Sequence, residues 1–453
     1  MIRPTRLRTT ASYPFTVSHR DIFRIALPAS LAFITQPLVG IVDIAVIGRL
    51  GDAGLLGGLE LGALTFGFVF AMLFFLRLGT AGLTAQSVGR RDPDQGLVHL
   101  LRAGMAGLVL GLLLLVLVKP IQSLGALAFA PPGPVVTKAF ADYLAVRTLG
   151  APFVLLNFAF LGWFYGRGAA KTGMFLQIGV NVINIGLSIL FVHFYGWGVS
   201  GVAAASVIAE AGIAMVSIGM VWWQVRGGSG LKSTFSLKQL LDRTALRRMF
   251  DLSRDLMIRS AALMGAFAFF SAQMSRAGEI PLAASAVLLN FSMVTAYFLD
   301  GQAQAAEFYC GKAVGASYRP AFEQAWHLSA FWGLVIGFGL FVVWLTGGPL
   351  LIDLLTTNAE VRLAAREHLF VAAFIAFSGV IAFVMDGVMT GATLNTIIRN
   401  GMVAATAIYI GAAYWLQNQF GLGGLWLALH IFFIARGVIF WVAVRIRLAS
   451  IFS

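Results

Sequence analysis

Charge is what this 453-residue chain has least of: Asp, Glu, Lys and Arg together make up 11% of it, where a soluble domain carries about 25%. Acids are scarcest, 19 against 32 basic residues, which leaves a formal net charge of +13. A single cysteine, Cys310, excludes an intrachain disulfide and any zinc or iron–sulfur site built from cysteines. The six histidines (19, 99, 193, 327, 368 and 430) are scattered, and none has the spacing of a metal-dependent hydrolase. No enzyme, metal site or cofactor is therefore expected. Long polar stretches are also missing, and a mean hydropathy of +0.86 rules out a soluble enzyme, a disordered scaffold and a secreted disulfide module.

What the chain has instead is apolar length: 59% of it is hydrophobic. A helix needs about 20 apolar residues to cross ~30 Å of hydrocarbon, and only a helix or closed barrel satisfies its backbone there. Twelve such runs are present, at roughly 22–48, 60–86, 97–121, 141–166, 174–195, 199–225, 252–275, 284–311, 321–346, 364–391, 396–416 and 422–446. Turn residues separate them, among them Gly51-Asp52, Asp92-Pro93, Pro131 to Pro134, Gly347 to Pro349 and Gly421 to Gly424. The expected fold is an all-α polytopic membrane protein with both termini on one side.

Twenty-one Lys and Arg fall on the side of the termini and 6 on the other, so the termini are expected in the cytoplasm. The positive charge thus reports topology and calls for no nucleic-acid partner. The basic arm 1–21 reads as an uncleaved cytoplasmic segment.

The chain resembles itself at a shift of 225–227 residues: Arg49 falls on Arg276, Val88-Gly89 on Val314-Gly315, Gly166 on Gly391, and Gly196 on Gly421. Six spans per half make the halves parallel repeats related by an axis along the membrane normal. The expected organisation is an N-terminal lobe over 22–225, a polar cytoplasmic linker over 226–248, a C-terminal lobe over 249–447 and a tail over 448–453. Two lobes on one linker suit a carrier that rocks around a mid-membrane site.

Ionisable groups inside spans cost about 2.5–3.5 kcal/mol each on insertion scales, so each is a functional candidate. Asp43, Glu210, Asp300, Glu307 and Asp386 qualify. Burial favours the uncharged form of a carboxyl group in general, which lets such a group take up and release a proton. Asp43 follows Pro28 and the Gln36-Pro37 pair, and proline within a helix permits bending. Asn181 and Asn184 share a face of the fifth span with Ser188, and Ser206 opens a small-residue face on the sixth. Such groups also serve as glue between helices. Glu210 has Arg102 or Arg147 as possible partners. Asp300, Gln304 and Glu307 lie along one face of the eighth span, Asp386 marks the tenth, and Arg259 is a cation available to one of these acids. For these C-lobe acids a structural ion-pair network and a transport role weigh equally. Phe70, Phe153, Phe160, Trp163, Tyr165 and Tyr297 are candidate walls of a cavity for flat organic cations.

Several segments together resemble the multidrug and toxic compound extrusion (MATE) transporters, specifically their DinF-like branch. They are Ala26-Leu27-Pro28, Pro37 to Asp43, Gly82 to Gln86 with Gly89, Asn181-x-x-Asn184-Ile185, Ser253-Arg254-Asp255, Tyr297-x-Leu299-Asp300-Gly301 with Glu307, Met385-Asp386-Gly387 and Leu425 to Leu429 with Arg436. The resemblance covers about residues 20–445. It implies a secondary active exporter of the bacterial inner membrane, monomeric, expelling cationic or amphipathic small molecules against inward proton flow. It also implies proton coupling at Asp43, a bending proline at Pro28 and a supporting cluster to which Asn184 and Ser206 correspond. One departure stands out: Ser188 occupies the place where relatives usually carry a second acid. Serine does not titrate in the physiological range, and one carboxylate with amide and hydroxyl oxygens is a thin shell for sodium. The alternatives are sodium-coupled export and a flippase for a lipid-linked saccharide, which would need several unpaired arginines facing its cavity.

Overall fold

The computed structural model describes residues 12–226 and 237–452. Most of the expected N-terminal arm (1–11) and the middle of the expected linker (227–236) lie outside the described residues.

Among the described residues the chain is a bundle of helices. The first span is two helices, α1 (His19–Ile34) and α2 (Gln36–Gly48), and the second is α3 (Ala53–Leu73) running into α4 (Phe75–Gly89). The third is α5 (Pro93–Val116), followed by the short α6 (Val118–Phe129). In the fourth, α7 (Gly133–Thr148) and α8 (Ala151–Gly166) meet at a 53° bend. Next come α9 (Ala170–Ile189), which ends in a π turn at Leu190–Phe194, and α10 (Gly198–Arg226). After α11 (Leu237–Leu240) the second half follows as α12 (Arg243–Arg276), α13 (Glu279–Gly315) and α14 (Arg319–Leu355). It closes with α15 (Ala359–Ser378), α16 (Val380–Gly391) and α17 (Asn395–Phe452). Among the described residues, ten helical segments (α1–α2, α3–α4 and α15–α16 each counted as one), or 11 with the bent α7–α8 pair, are long and apolar enough to cross a membrane. The remaining span is inside α17, where Gly421 (φ 57°, ψ −135°) turns the chain back on itself. Gly401 then lies against Phe440, and Tyr409 against Phe432.

Helix starts are fixed by local chemistry. Asp52 accepts from the Gly54 and Leu55 amides, Asp92 from Gln95, and Ser18 forms a reciprocal capping box with Asp21. Each cap satisfies amide groups that have no partner within the helix and holds the chain entry at a polar residue. Both described ends lie on one face of the bundle. The Tyr13 amide donates to the Ala316 carbonyl at 3.0 Å, and Phe452 packs on Phe322 with ring centroids 5.4 Å apart.

The duplication is visible in backbone packing. A Cβ placed on Gly162 would lie 2.4 Å from the Arg77 carbonyl oxygen, and one on Gly387 would lie 2.0 Å from that of Ala303. Gly166 meets Ala81 at 2.5 Å and Gly391 meets Glu307 at 2.2 Å in the same way. Each glycine and each carbonyl in the second lobe is 225 or 226 positions beyond its counterpart. Small residues let helices approach closely where lipid gives no hydrophobic drive to associate.

The lobes meet on the side of the termini in a quasi-two-fold seam. A Cβ on Gly89 would lie 2.0 Å from the Lys312 oxygen, and one on Gly315 would lie 1.9 Å from the Gln86 oxygen. Gln86 and Lys312 are themselves repeat equivalents, so the contact is self-complementary, as in an isologous dimer. The Gln86 amide adds hydrogen bonds to the Gly391 carbonyl (3.0 Å) and the Thr393 hydroxyl (3.1 Å).

Candidate functional site

The first span is interrupted at Thr35, two residues before Pro37, and Pro28 lies within the continuous helix α1. Pro37 in the first turn of α2 has no amide hydrogen to return to α1, so the helix restarts there. The Thr35 hydroxyl donates to the Ala32 carbonyl at 2.7 Å and accepts from the Asn181 amide at 2.8 Å. Two turns further on, Asp43 is 8% exposed and accepts a hydrogen bond from the Ser188 hydroxyl at 3.0 Å. Asn184, one turn before Ser188 on α9, donates to the Ser206 hydroxyl at 2.7 Å. The predicted N-lobe polar residues thus form separate pairs along α9: Asn181 with Thr35, Asn184 with Ser206, and Ser188 with Asp43. The hydrogen bond to Asp43 comes from Ser188, while Asn184 and Ser206 bond to each other. Ser188 sits two residues before the π turn of its span, an irregularity often found at functional positions.

Glu210 pairs with Arg147 through two hydrogen bonds, 2.8 and 2.5 Å, and its carbonyl accepts from Asn157 at 2.9 Å. The Arg147 guanidinium also lies 4.0 Å from the Phe66 ring centroid and is an electrostatic neighbour of Asp43. Arg102, the other partner considered, turns away and donates to the Gln239 and Leu240 carbonyls.

A cavity of about 500 Å³ lies between the lobes, on the far side of the seam from the termini. Phe33, Gln36, Phe74 and Arg77 line it from the N lobe, and Asp300, Glu307, Asp386, Arg259, Arg436 and apolar residues of α12, α13, α16 and α17 line it from the C lobe. Arg259 pairs with Asp386 at 2.7 Å, with Arg436 a further 3.6 Å from the same carboxylate oxygen. The Arg77 guanidinium donates to the Gln304 side-chain oxygen at 2.7 Å, and the Gln304 amide donates to Glu307 at 3.0 Å. Three arginines and three carboxylates face this space, so its charges balance.

Asp43 is not among the cavity-lining residues: it is held in the N lobe, and the acids of the cavity all come from the C lobe. Of the aromatic candidates only Tyr297 reaches the cavity, while Phe70, Phe160, Trp163 and Tyr165 are buried in the core. The rings that do line it, Phe33, Phe74, Phe267, Phe383 and Phe433, stand on helix faces that hydropathy alone does not distinguish from lipid-facing ones. The reach of Arg77 across to Gln304 follows from how the lobes pack, which no sequence pattern names.

Two six-helix repeats around a charged cavity between them define a secondary transporter. The chain belongs to the MatE family, whose model matches it twice, over residues 28–190 and 256–415, once in each lobe. It is a multi-pass membrane transporter of the multidrug type, not an enzyme. It is 34% identical over 430 residues to DNA damage-inducible protein F of Escherichia coli (strain K12), covering 93% of this chain and 91% of that one. A probable multidrug resistance protein, NorM, of Deinococcus radiodurans is 27% identical, with 91% and 92% covered. A solved outward-facing structure of a multidrug resistance MATE family transporter of the MOP superfamily superposes with a TM-score of 0.86 at 18% identity, covering 97% of this chain and 99% of that one.

Proposed function

We propose that the protein exports cationic or amphipathic small molecules from the cytoplasm in exchange for protons, by alternating access of the interlobe cavity. The observation that carries this reading is the placement of Asp43: a buried carboxylate, eight residues beyond a break in its helix, whose partner is a hydroxyl on a neighbouring span. A carboxylate only accepts hydrogen bonds, whereas the protonated acid also donates one. Proton uptake at Asp43 therefore changes which neighbours it can hold, and the break at Thr35 lets α2 repack without unwinding α1. A proton shifts the balance of two states only by its difference in affinity for them, and a group whose hydrogen bonding changes between states supplies that difference.

The coupling ion is the proton, because Asp43 with one contacting hydroxyl offers too few oxygens for a hard cation. The pairing of Arg259, Arg436 and Arg77 with Asp386 and, through Gln304, Glu307 argues against an anionic lipid-linked saccharide, which needs arginines left free. The same reading puts both termini in the cytoplasm, the protein in a bacterial inner membrane and the working unit as a monomer. Asp43→Asn in proteoliposomes with an imposed pH gradient tests it: drug efflux driven by the gradient is expected to vanish while equilibrium drug binding persists. Undiminished pH-driven efflux overturns the assignment.

A further inference from the structure

Arg77 belongs to the N lobe together with the three rings that surround its guanidinium, Phe33, Phe74 and Tyr165, at 4.8, 4.9 and 5.0 Å from their centroids. Its hydrogen-bond partner Gln304 belongs to the C lobe, as does Glu307, the carboxylate that Gln304 holds. Arg77 is 6% exposed and Glu307 4% exposed, and both line the interlobe cavity. The amide works as an adaptor: with its oxygen fixed by Arg77, its NH2 group must point at Glu307. One Glu307 oxygen, Oε2, is satisfied in this way, and the other, Oε1, is buried with no hydrogen-bond partner. Such a group costs free energy unless something compensates it. The other charges of the cavity offer no substitute, since Arg259 and Arg436 are directed at Asp386, and Asp300 carries the same sign as Glu307.

Glu307 also stands next to the seam. One turn further along α13, a Cβ on Gly311 would meet that of Ala85 in the N lobe at 2.8 Å. If the lobes part on the side of the termini, Arg77 leaves with its own aromatic surround, and Gln304 and Glu307 remain with the C lobe facing the widened cavity. We infer that Glu307 engages the cationic centre of the substrate when the seam is open, and that Arg77, acting through Gln304, takes the substrate's place when the seam closes. This rests on the proposed export of organic cations and identifies the group that would recognise them. An arginine on the opposite lobe is a tethered competitor acting at one remove: closure on the side of the termini returns it to Gln304, whose amide then holds the carboxylate, and so expels the bound cation toward the far side.

Equilibrium binding of tetraphenylphosphonium to the full-length protein in nanodiscs tests the inference. Glu307→Gln is expected to weaken binding about tenfold, the loss of one desolvated charge contact. Arg77→Gln and Gln304→Leu, which remove the competitor or its adaptor and leave the acid intact, are expected to tighten binding severalfold and to slow pH-driven efflux. Wild-type affinity in Glu307→Gln overturns the inference. Should that variant fail to fold, unchanged or weaker binding in both Arg77→Gln and Gln304→Leu overturns it equally. Asp43→Asn separates the two readings: if it still exports with the pH gradient while Glu307→Gln has lost binding, proton coupling at Asp43 is wrong and the cation anchor stands.

Discussion

The seam between the lobes makes Gly315→Ala a quantitative test of alternating access. The added methyl carbon would lie 1.9 Å from the Gln86 carbonyl oxygen, whereas a tolerable carbon–oxygen contact is about 3.3 Å, so the lobes must part by roughly 1.4 Å there. The obstacle is backbone, with no side chain that can rotate away. Parting by that amount also stretches the Gln86 amide's 3.0 Å bond to Gly391 beyond hydrogen-bonding range. Overpacking of this kind costs about 1–3 kcal/mol. Gly315 is the last residue of α13 and is not in a left-handed conformation, so alanine does not weaken the helix itself and the penalty falls on the closed seam. A cost of about 2 kcal/mol moves the equilibrium roughly 30-fold toward the seam-open arrangement. Spin labels on Pro93→Cys and Arg319→Cys, both exposed on the side of the termini, in a Cys310→Ser background would report it by pulsed electron paramagnetic resonance. The expected result is growth of a longer-distance population at the expense of the parent one. Gly89→Ala, which would meet the Lys312 oxygen at 2.0 Å, should do the same by pseudo-symmetry. An unchanged distance distribution in a folded variant refutes the seam as the closing contact.

Glu210→Gln leaves the buried Arg147 facing a neutral amide, a change that typically costs about 3–5 kcal/mol and should lower the thermal midpoint in detergent. Replacing both residues with Met should recover most of that loss, because no charge is then stranded. Ser188→Ala removes the hydroxyl that Asp43 holds at 3.0 Å and should cut pH-driven export about fivefold to tenfold, with equilibrium binding of a cationic dye unchanged. A sodium gradient imposed at equal pH on both sides should drive no export, and sodium-dependent flux would refute the proton assignment.

How far the fold could be read from residues alone differs from element to element. Each span was legible because one crossing of hydrocarbon requires an apolar run of minimum length, which is a property of local sequence. The break at Thr35 was foreshadowed by Pro37, and the turn within α17 by Gly421, since both residues act on their own backbone. The duplication was legible as order and shift, although its packing meaning was not: Gly162 and Gly387 matter for the carbonyls they admit, and no sequence pattern names those carbonyls. Partner choice was the least legible. Glu210 had two arginines within reach on paper, and the choice fell to Arg147 because α7 and α10 pack together while Arg102 is drawn to the carbonyls after α10.

Composition and spacing were enough to set the solvent the chain lives in, the number of its crossings, its duplicated plan and the short roster of acids held where charge is costly. They were enough because the length of an apolar run that crosses hydrocarbon and the rarity of charge within it are properties of the local chain. What each acid touches came from helix packing: Asp43 meets the Ser188 hydroxyl inside one lobe, Asp386 two arginines, and Glu307 an amide anchored by the opposite lobe. Hydrogen bonds and ion pairs act over about 3 Å, and which side chains come within that reach is set by how helices distant in sequence pack and rotate against one another.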